Sequence, residues 1–279
     1  MATIPRSFVD NFTKAVNALS DDAKEKLARA LEKVDETVTF DELLEIVEAL
    51  LGPYTESAAA VAATFYDGLR EWFGISDGFY AISEGMRQPY ITSGTVNKVM
   101  EGKSAVRLSD EMQTALLNQL DYEIRRTANL TIERNAKRDP LKPKWARVPE
   151  VTVTTYAPWS KERGVTHDKF LAMTGTCMFC TMLASRGFVY HSAETASHAH
   201  PDCNCRIVPS WDKNKPSVEG YDPDKYYDMW KHPEKYEKGE TLAEKQAQAQ
   251  DGLSRKEVKK AVEYYASGEG MDINHRLRH

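Results

Sequence analysis

The chain is 279 residues long, 41% hydrophobic, with a formal net charge of −5 and a mean hydropathy of −0.56. That length and apolar content provide for two domains of ordinary size in a soluble protein, and no run approaches the ~18–20 apolar residues needed to span a bilayer. Met1-Ala-Thr-Ile-Pro-Arg6 lacks the apolar core of a signal peptide, which predicts an intracellular protein, and the acidic balance gives no global drive towards nucleic acid.

The first half reads as helices. Ser20-Asp-Asp-Ala predicts a helix from an N-cap at Ser20 to about Val34, with two acids at the positive end of its dipole. Thr39-Phe-Asp-Glu42 is a capping box, in which the hydroxyl and the carboxylate satisfy each other's orphan amides. The helix it opens carries Leu43, Leu44, Ile46, Val47, Leu50 and Leu51 and is expected to stop at Gly52-Pro53. Another is expected over 58–72, with Phe65, Leu69 and Trp72 at helical spacing, before Gly74, Gly78 and Gly85 interrupt the pattern. Ser109-Asp-Glu opens the longest expected helix, in which Met112, Leu116, Leu120 and Ile124 recur every four residues, through about Arg138. Nothing in this half converges on catalysis, and its apolar stripes predict core.

Charge is distributed unevenly. Residues 1–100 hold 16 acids and 9 Lys+Arg, whereas Arg125, Arg126, Arg134, Lys137, Arg138, Lys142, Lys144 and Arg147 crowd one short stretch. Such a run suits DNA or an acidic protein surface, and equally a solvated helix face running into a linker. Arg125, Arg126, Arg134 and Lys137 are the candidate binding residues.

Pro140, Pro143 and Pro149 predict a linker, since proline ends helices and biases its predecessor to extended backbone. Periodicity then changes: 151–156 alternates β-branched residues as a strand does, and 166–173 suits a short helix. Cys180–Arg186 predicts a helical turn closed by Gly187, with short strands at Phe188–Tyr190 and Arg206–Val208. Tyr221, Tyr226, Tyr227, Met229 and Trp230 cluster around Asp222-Pro-Asp224 and are expected to pack back on this unit. Beyond them, 235–251 is a polar repetitive stretch, Ser254-Arg-Lys-Glu257 is a further capping box, and His275–His279 is a short basic tail.

All four cysteines fall in one 29-residue window, 177–205, together with His191, His198 and His200. The spacing is Cys177-x2-Cys180 followed by His198-x-His200-x2-Cys203-x-Cys205. Zinc takes thiolate and imidazole ligands in a tetrahedron, and Cys-x2-Cys lets two thiolates from one turn reach one ion. Cys177, Cys180, His200 and Cys203 form the preferred ligand set, with Cys205 competing for the last place. His198 is expected to point elsewhere or to form an outer-shell hydrogen bond. Disulfides, which need an oxidising compartment, and metal-free packing thiols are the alternatives. A zinc ion tying two loops together would stabilise a unit with a thin apolar core, which makes the expected role structural.

Cys177-Met-Phe-Cys-Thr-Met-Leu-Ala-Ser-Arg-Gly-Phe-Val-Tyr190 and Ala199-His-Pro-Asp-Cys-Asn-Cys-Arg206 resemble the phage Mu F-like minor head proteins, in the branch found in tailed phages of actinobacteria. Trp145-Ala-Arg-Val-Pro149 is similar to that branch's entry segment, and the stretch between Pro149 and Cys177 is longer than the resemblance leads one to expect. The resemblance covers about 140–232. It implies an α+β protein: an α-helical portal- or scaffold-docking region at 1–139, a small zinc-knuckle α+β domain at 140–232, and a helical or mobile tail at 233–279. It further implies a minor capsid protein in the head interior near the portal, present in the host cytoplasm during assembly. Its partners would be the portal protein, other head proteins and packaged DNA, and its task head assembly or DNA packaging and ejection.

Enzymatic readings fare less well. A zinc hydrolase keeps one coordination position open for water, with Glu194 or Asp202 as base, but four cysteines and a histidine favour a closed shell. A zinc-knuckle nuclease would use His198 or His200 as base, yet the oxygen ligands for a hard cation are missing. A capsid maturation protease would have to recruit Ser185, His191 and Asp202, residue types that co-occur by chance in any such stretch. The sequence therefore predicts a protein that is not an enzyme.

Overall fold

The computed structural model describes residues 3–34, 37–83, 89–150, 178–190 and 205–232. The architecture is helix-rich α+β with two small antiparallel sheets. Helix α1 runs Arg6–Leu31, strand β1 Val38–Thr39, α2 Phe40–Trp72, α3 Pro89–Val99, β2 Ala105–Val106 and α4 Asp110–Arg138. Strand β3 spans Lys144–Pro149, helix α5 Met178–Ala184, strand β4 Cys205–Ser210 and helix α6 Pro223–Lys231.

The cap signals hold at α2 and α4. Thr39 and Glu42 form the reciprocal capping box, and the Ser109 hydroxyl accepts from the Met112 amide at 3.3 Å. Two expected boundaries are wrong. Helix α1 begins at Arg6, and Ser20 is no N-cap: it lies inside the helix, fully buried, donating to Asp121. The buried stripe Val9, Phe12, Val16, Leu19, Ala23, Leu27 and Leu31 passes straight through it. Helix α2 does not stop at Gly52-Pro53 but continues to Trp72, absorbing the helix expected over 58–72. At 33 residues it exceeds the 29 of α4, so α4 is not the longest. Just past the proline, the Thr55 hydroxyl donates back to the carbonyls of Leu51 and Gly52 at 2.8 and 3.0 Å.

Pairing of β1 with β2 sets the first residues of α2 and α4 side by side. At their other ends, Tyr66 and Arg70 of α2 reach Asp139, the C-cap of α4, so the two helices run parallel. Helix α1 lies antiparallel to both. Phe8 packs on Trp72 and Phe12 stacks on Phe65 at 4.4 Å, while Asn17 meets Arg125 and Ser20 meets Asp121.

The expected linker at Pro140–Pro149 contains strand β3, which pairs with β4 from Lys144↔Ser210 to Pro149↔Cys205. Every residue of β4 and all but the first of β3 are buried, so neither face shows the alternation of a half-exposed strand. Proline is accommodated because Pro149 ends β3 and Pro209 lies on β4, which has no further strand beside it among the described residues. Instead of a strand at Phe188–Tyr190, Tyr190 makes a single antiparallel bridge to Trp145. Ile4 makes a single parallel bridge to Val218, tying the start of the chain to the segment after β4. One cluster of buried side chains extends from Ile4 and Phe12 through the helices to Trp145, Ile207 and Met229.

Candidate metal ligands and the basic helix end

Of the five candidate ligands, Cys180 and Cys205 lie in the described residues, both 1% exposed; Cys177, His200 and Cys203, like His191 and His198, lie outside them. Cys180 sits on the buried side of α5 with Thr181, Leu183 and Ala184. Two tyrosines fix the end of this helix: the Tyr190 hydroxyl donates to the Leu183 carbonyl at 2.9 Å and the Tyr221 hydroxyl to that of Ala184. Burial pushes both phenols above their ordinary pKa, keeping them as donors. Gly187 then takes φ 66°, as expected, and a Cβ there would stand 3.3 Å from Pro223. Helix α6, capped by the Asp222 carboxylate on the Asp224 amide, lays Tyr226 and Met229 against α5. The aromatic segment thus packs back as expected, except that Tyr227 is exposed.

Cys205 opens β4. Its carbonyl accepts from the Asn129 side chain at 3.1 Å, and the Asn129 oxygen accepts from the Ile207 amide at 3.2 Å. Arg206, wholly buried, donates to Asn17 at 2.9 Å, and Asn17 donates to Glu150 at 3.1 Å. The strand carrying Cys205 is therefore held by α4 and α1. Asn129 and Asn17 were missed from sequence, because an asparagine beside a helical apolar stripe looks the same whether it faces solvent or a strand. The two described thiols are soft donors on anchored elements, a chemistry that suits zinc.

The candidate basic residues divide along α4. Arg125 is half-buried, donating to Asp121 at 2.8 Å and to Asn17 at 2.7 Å; Arg126 pairs with Glu123 at 3.4 Å. Arg134 and Lys137 are exposed, and with Ile82, Thr131 and Arg138 they line an open depression of about 290 Å³. Arg138 lies over the Phe79 ring at 5.5 Å, and Lys142 donates to the Lys137 carbonyl at 2.6 Å.

Fold and site together define a helix-rich α+β protein whose cysteine-bearing elements are built onto a long-helix core. A model of the VG15 protein family matches residues 3–153 and 170–232, and the chain belongs to this family, a phage-type viral gene-product family. The unmatched 154–169 falls in the stretch read as overlong from sequence, and the match takes in the helical half, where no diagnostic motif was found. No curated protein and no solved structure matches the chain. No helix among the described residues is long and apolar enough to cross a membrane.

Proposed function

We propose that this protein is a minor head protein of a tailed phage, related to the Mu F-like proteins, that associates with the portal and acts in head assembly or in packaging and ejection of DNA. The observation that carries the reading is the Cys177-x2-Cys180, His200-x2-Cys203-x-Cys205-Arg206 pattern in a chain of a phage-type viral family. Its role is architectural, with the long helices offering the surface for the portal protein and other head proteins, packaged DNA as a neighbour, and the virion head interior as its place. Cys177, Cys180, His200, and Cys203 or Cys205 would hold a structural zinc ion, which when bound supplies a cross-link between two chain segments and no reaction chemistry. Supporting this, Cys180 and Cys205 stand on elements fixed by neighbours (Tyr190, Tyr221, Asn129). The test is co-expression with the portal protein of the same phage. Co-purification, together with particles lacking this protein that assemble poorly or fail to deliver DNA, is the expected result. Absence of the protein from purified virions and no portal association would overturn it.

A further inference from the structure

Three of the five large hydrophobic side chains standing exposed among the described residues, Tyr80, Ile82 and Leu141, belong to segments at one end of α4. Tyr80 is 70% exposed, Ile82 42% and Leu141 41%. The segment carrying Tyr80 and Ile82 is pinned to α2 and α4: the Ala81 amide donates to Asp67 at 2.9 Å, and Ile82 exchanges hydrogen bonds with Asn135 at 2.8 and 3.0 Å. Leu141 and Lys142 fold back over the helix terminus, through the Leu141 amide on Asp139 at 2.8 Å and Lys142 on the Lys137 carbonyl. Arg134, Lys137, Arg138 and Lys142 are exposed among these apolar groups. Lys137 is paired with Glu133 at 3.0 Å, Asp67 is half-buried and taken up by the Ala81 amide, and Asp139 is wholly buried and engaged with Arg70.

The opposite end of the molecule has the opposite character. Asp41, Glu42, Glu45 and Glu48 are exposed on the first turns of α2, with Leu44, Ile46 and Leu50 half-buried between them. Asp110 and Glu111 are exposed at the adjoining start of α4. Lys103 is paired there with Glu101 at 2.7 Å, and Lys98 and Arg107 offset part of the acidity without reversing it. Because α2 and α4 run parallel, these two surfaces are separated by roughly 30 Å, the rise of α2 between Glu45 and Tyr66. Acids at helix starts and bases at helix ends also answer the helix dipoles, but that effect fades within one turn. It accounts neither for Glu45 and Glu48 nor for the three exposed apolar side chains.

We propose that the basic, apolar end of one chain docks on the acidic first half of α2 of a second copy. Tyrosine and arginine beside aliphatic groups make a protein-binding surface, the net charge of −5 disfavours a nucleic-acid partner, and the complementary surface is on the same chain. The contact joins unlike faces, so it propagates head to tail into rings or open strings rather than closing a two-fold dimer.

Sedimentation velocity of the full chain tests this at about 50 mM and about 500 mM salt, where screening differs severalfold. Expected are species larger than the monomer that grow with concentration at low salt and revert at high salt. Lys137→Glu with Lys142→Glu, and separately Glu45→Lys with Glu48→Lys, each give monomers, with unchanged circular dichroism. Mixing the two variants restores association, because each then supplies the charge the other lacks. A wild type that stays monomeric at low salt, association indifferent to either pair, or a mixture that fails to reassemble overturns the proposal. A monomeric wild type that binds a duplex oligonucleotide through Lys137 and Lys142 overturns it in favour of a nucleic-acid surface.

Discussion

Asp139 shows how much of this molecule depends on single buried polar groups. Its carboxylate has no exposure and accepts from the Tyr66 hydroxyl at 2.8 Å, the Trp211 indole at 3.1 Å, the Leu141 amide at 2.8 Å, and Arg70. The Arg70 guanidinium also bonds Asp77 and lies over the Phe79 ring at 4.6 Å. Three separate parts of the chain are thereby fastened to the end of α4. Replacing Asp139 with Ala leaves two buried donors unpaired and Arg70 with Asp77 as its remaining carboxylate, so a loss of about 3 kcal/mol is expected in urea unfolding. Asp121 adds a pH dependence. Burial raises its carboxyl, but Arg125, the Ser20 hydroxyl and Lys24 together outweigh burial and hold it below the usual carboxylate range. A depressed folded-state value gives stability that is present above the ordinary carboxylate pKa and lost as pH falls through the folded one. Glu123 and Asp67 act in the opposite sense, being raised by burial. Asp121→Asn isolates the first effect: stability falls by about 3 kcal/mol near neutrality, and the loss between wild type and variant narrows below about pH 4. An unchanged acid limb in urea titrations would show that Asp121 contributes nothing there.

At the level of elements, what was legible in sequence is what local chemistry decides. The Thr39 and Ser109 caps, the run of α4 and the glycine at 187 each rest on a few adjacent residues, and each is where the pattern put it. Thr39→Ala is accordingly expected to lower stability by about 1 kcal/mol, measurable as a shifted denaturation midpoint with unchanged slope. Gly187→Ala forces a left-handed backbone on a residue with a Cβ and crowds Pro223, at a cost of about 1–2 kcal/mol. What was not legible is what partners decide. Ser20 has the chemistry of a cap and serves as a buried bond to another helix. Pro53 has the chemistry of a stop, yet the Tyr54 hydroxyl on Asp22 and the buried Thr55 and Ala58 hold the helix together beyond it. Strands β3 and β4, buried on both faces and containing Pro149 and Pro209, offer no period-two pattern to read. The candidate site is visible in the sequence only as a spacing of cysteines and histidine. Its anchors, Asn129, Asn17 and the Tyr190 and Tyr221 hydroxyls, are not, because each reaches its partner across the fold.

At the level of the whole molecule, those anchors determine how a bound metal would be felt. Cys205 opens a strand hydrogen-bonded to Asn129 of α4, the next residue reaches Asn17 of α1, and Ile4 pairs with Val218 in the segment after β4. Helix α5, carrying Cys180, packs on β3 and on α6. A cross-link among 177–205 is therefore joined to the long helices through buried contacts rather than through a flexible tether, and destabilising it should be transmitted to them. The expected outcome is a single zinc ion per chain by plasma mass spectrometry on protein purified without chelator. Cys177→Ser should lose the ion and melt as one transition about 5–10 °C lower, a shift set by the size of the cooperative unit. Far-ultraviolet circular dichroism, which reports mainly α1, α2 and α4, and near-ultraviolet signals from Trp145 and Trp211 should fall together. Asn129→Ala should lower both signals together as one transition, because Arg206–Asn17, Ile4–Val218 and the shared core still join the two parts. A protein without metal whose melting is indifferent to Cys177→Ser would leave the thiols as packing groups. The resemblance to the Mu F-like proteins would then rest on chain pattern alone.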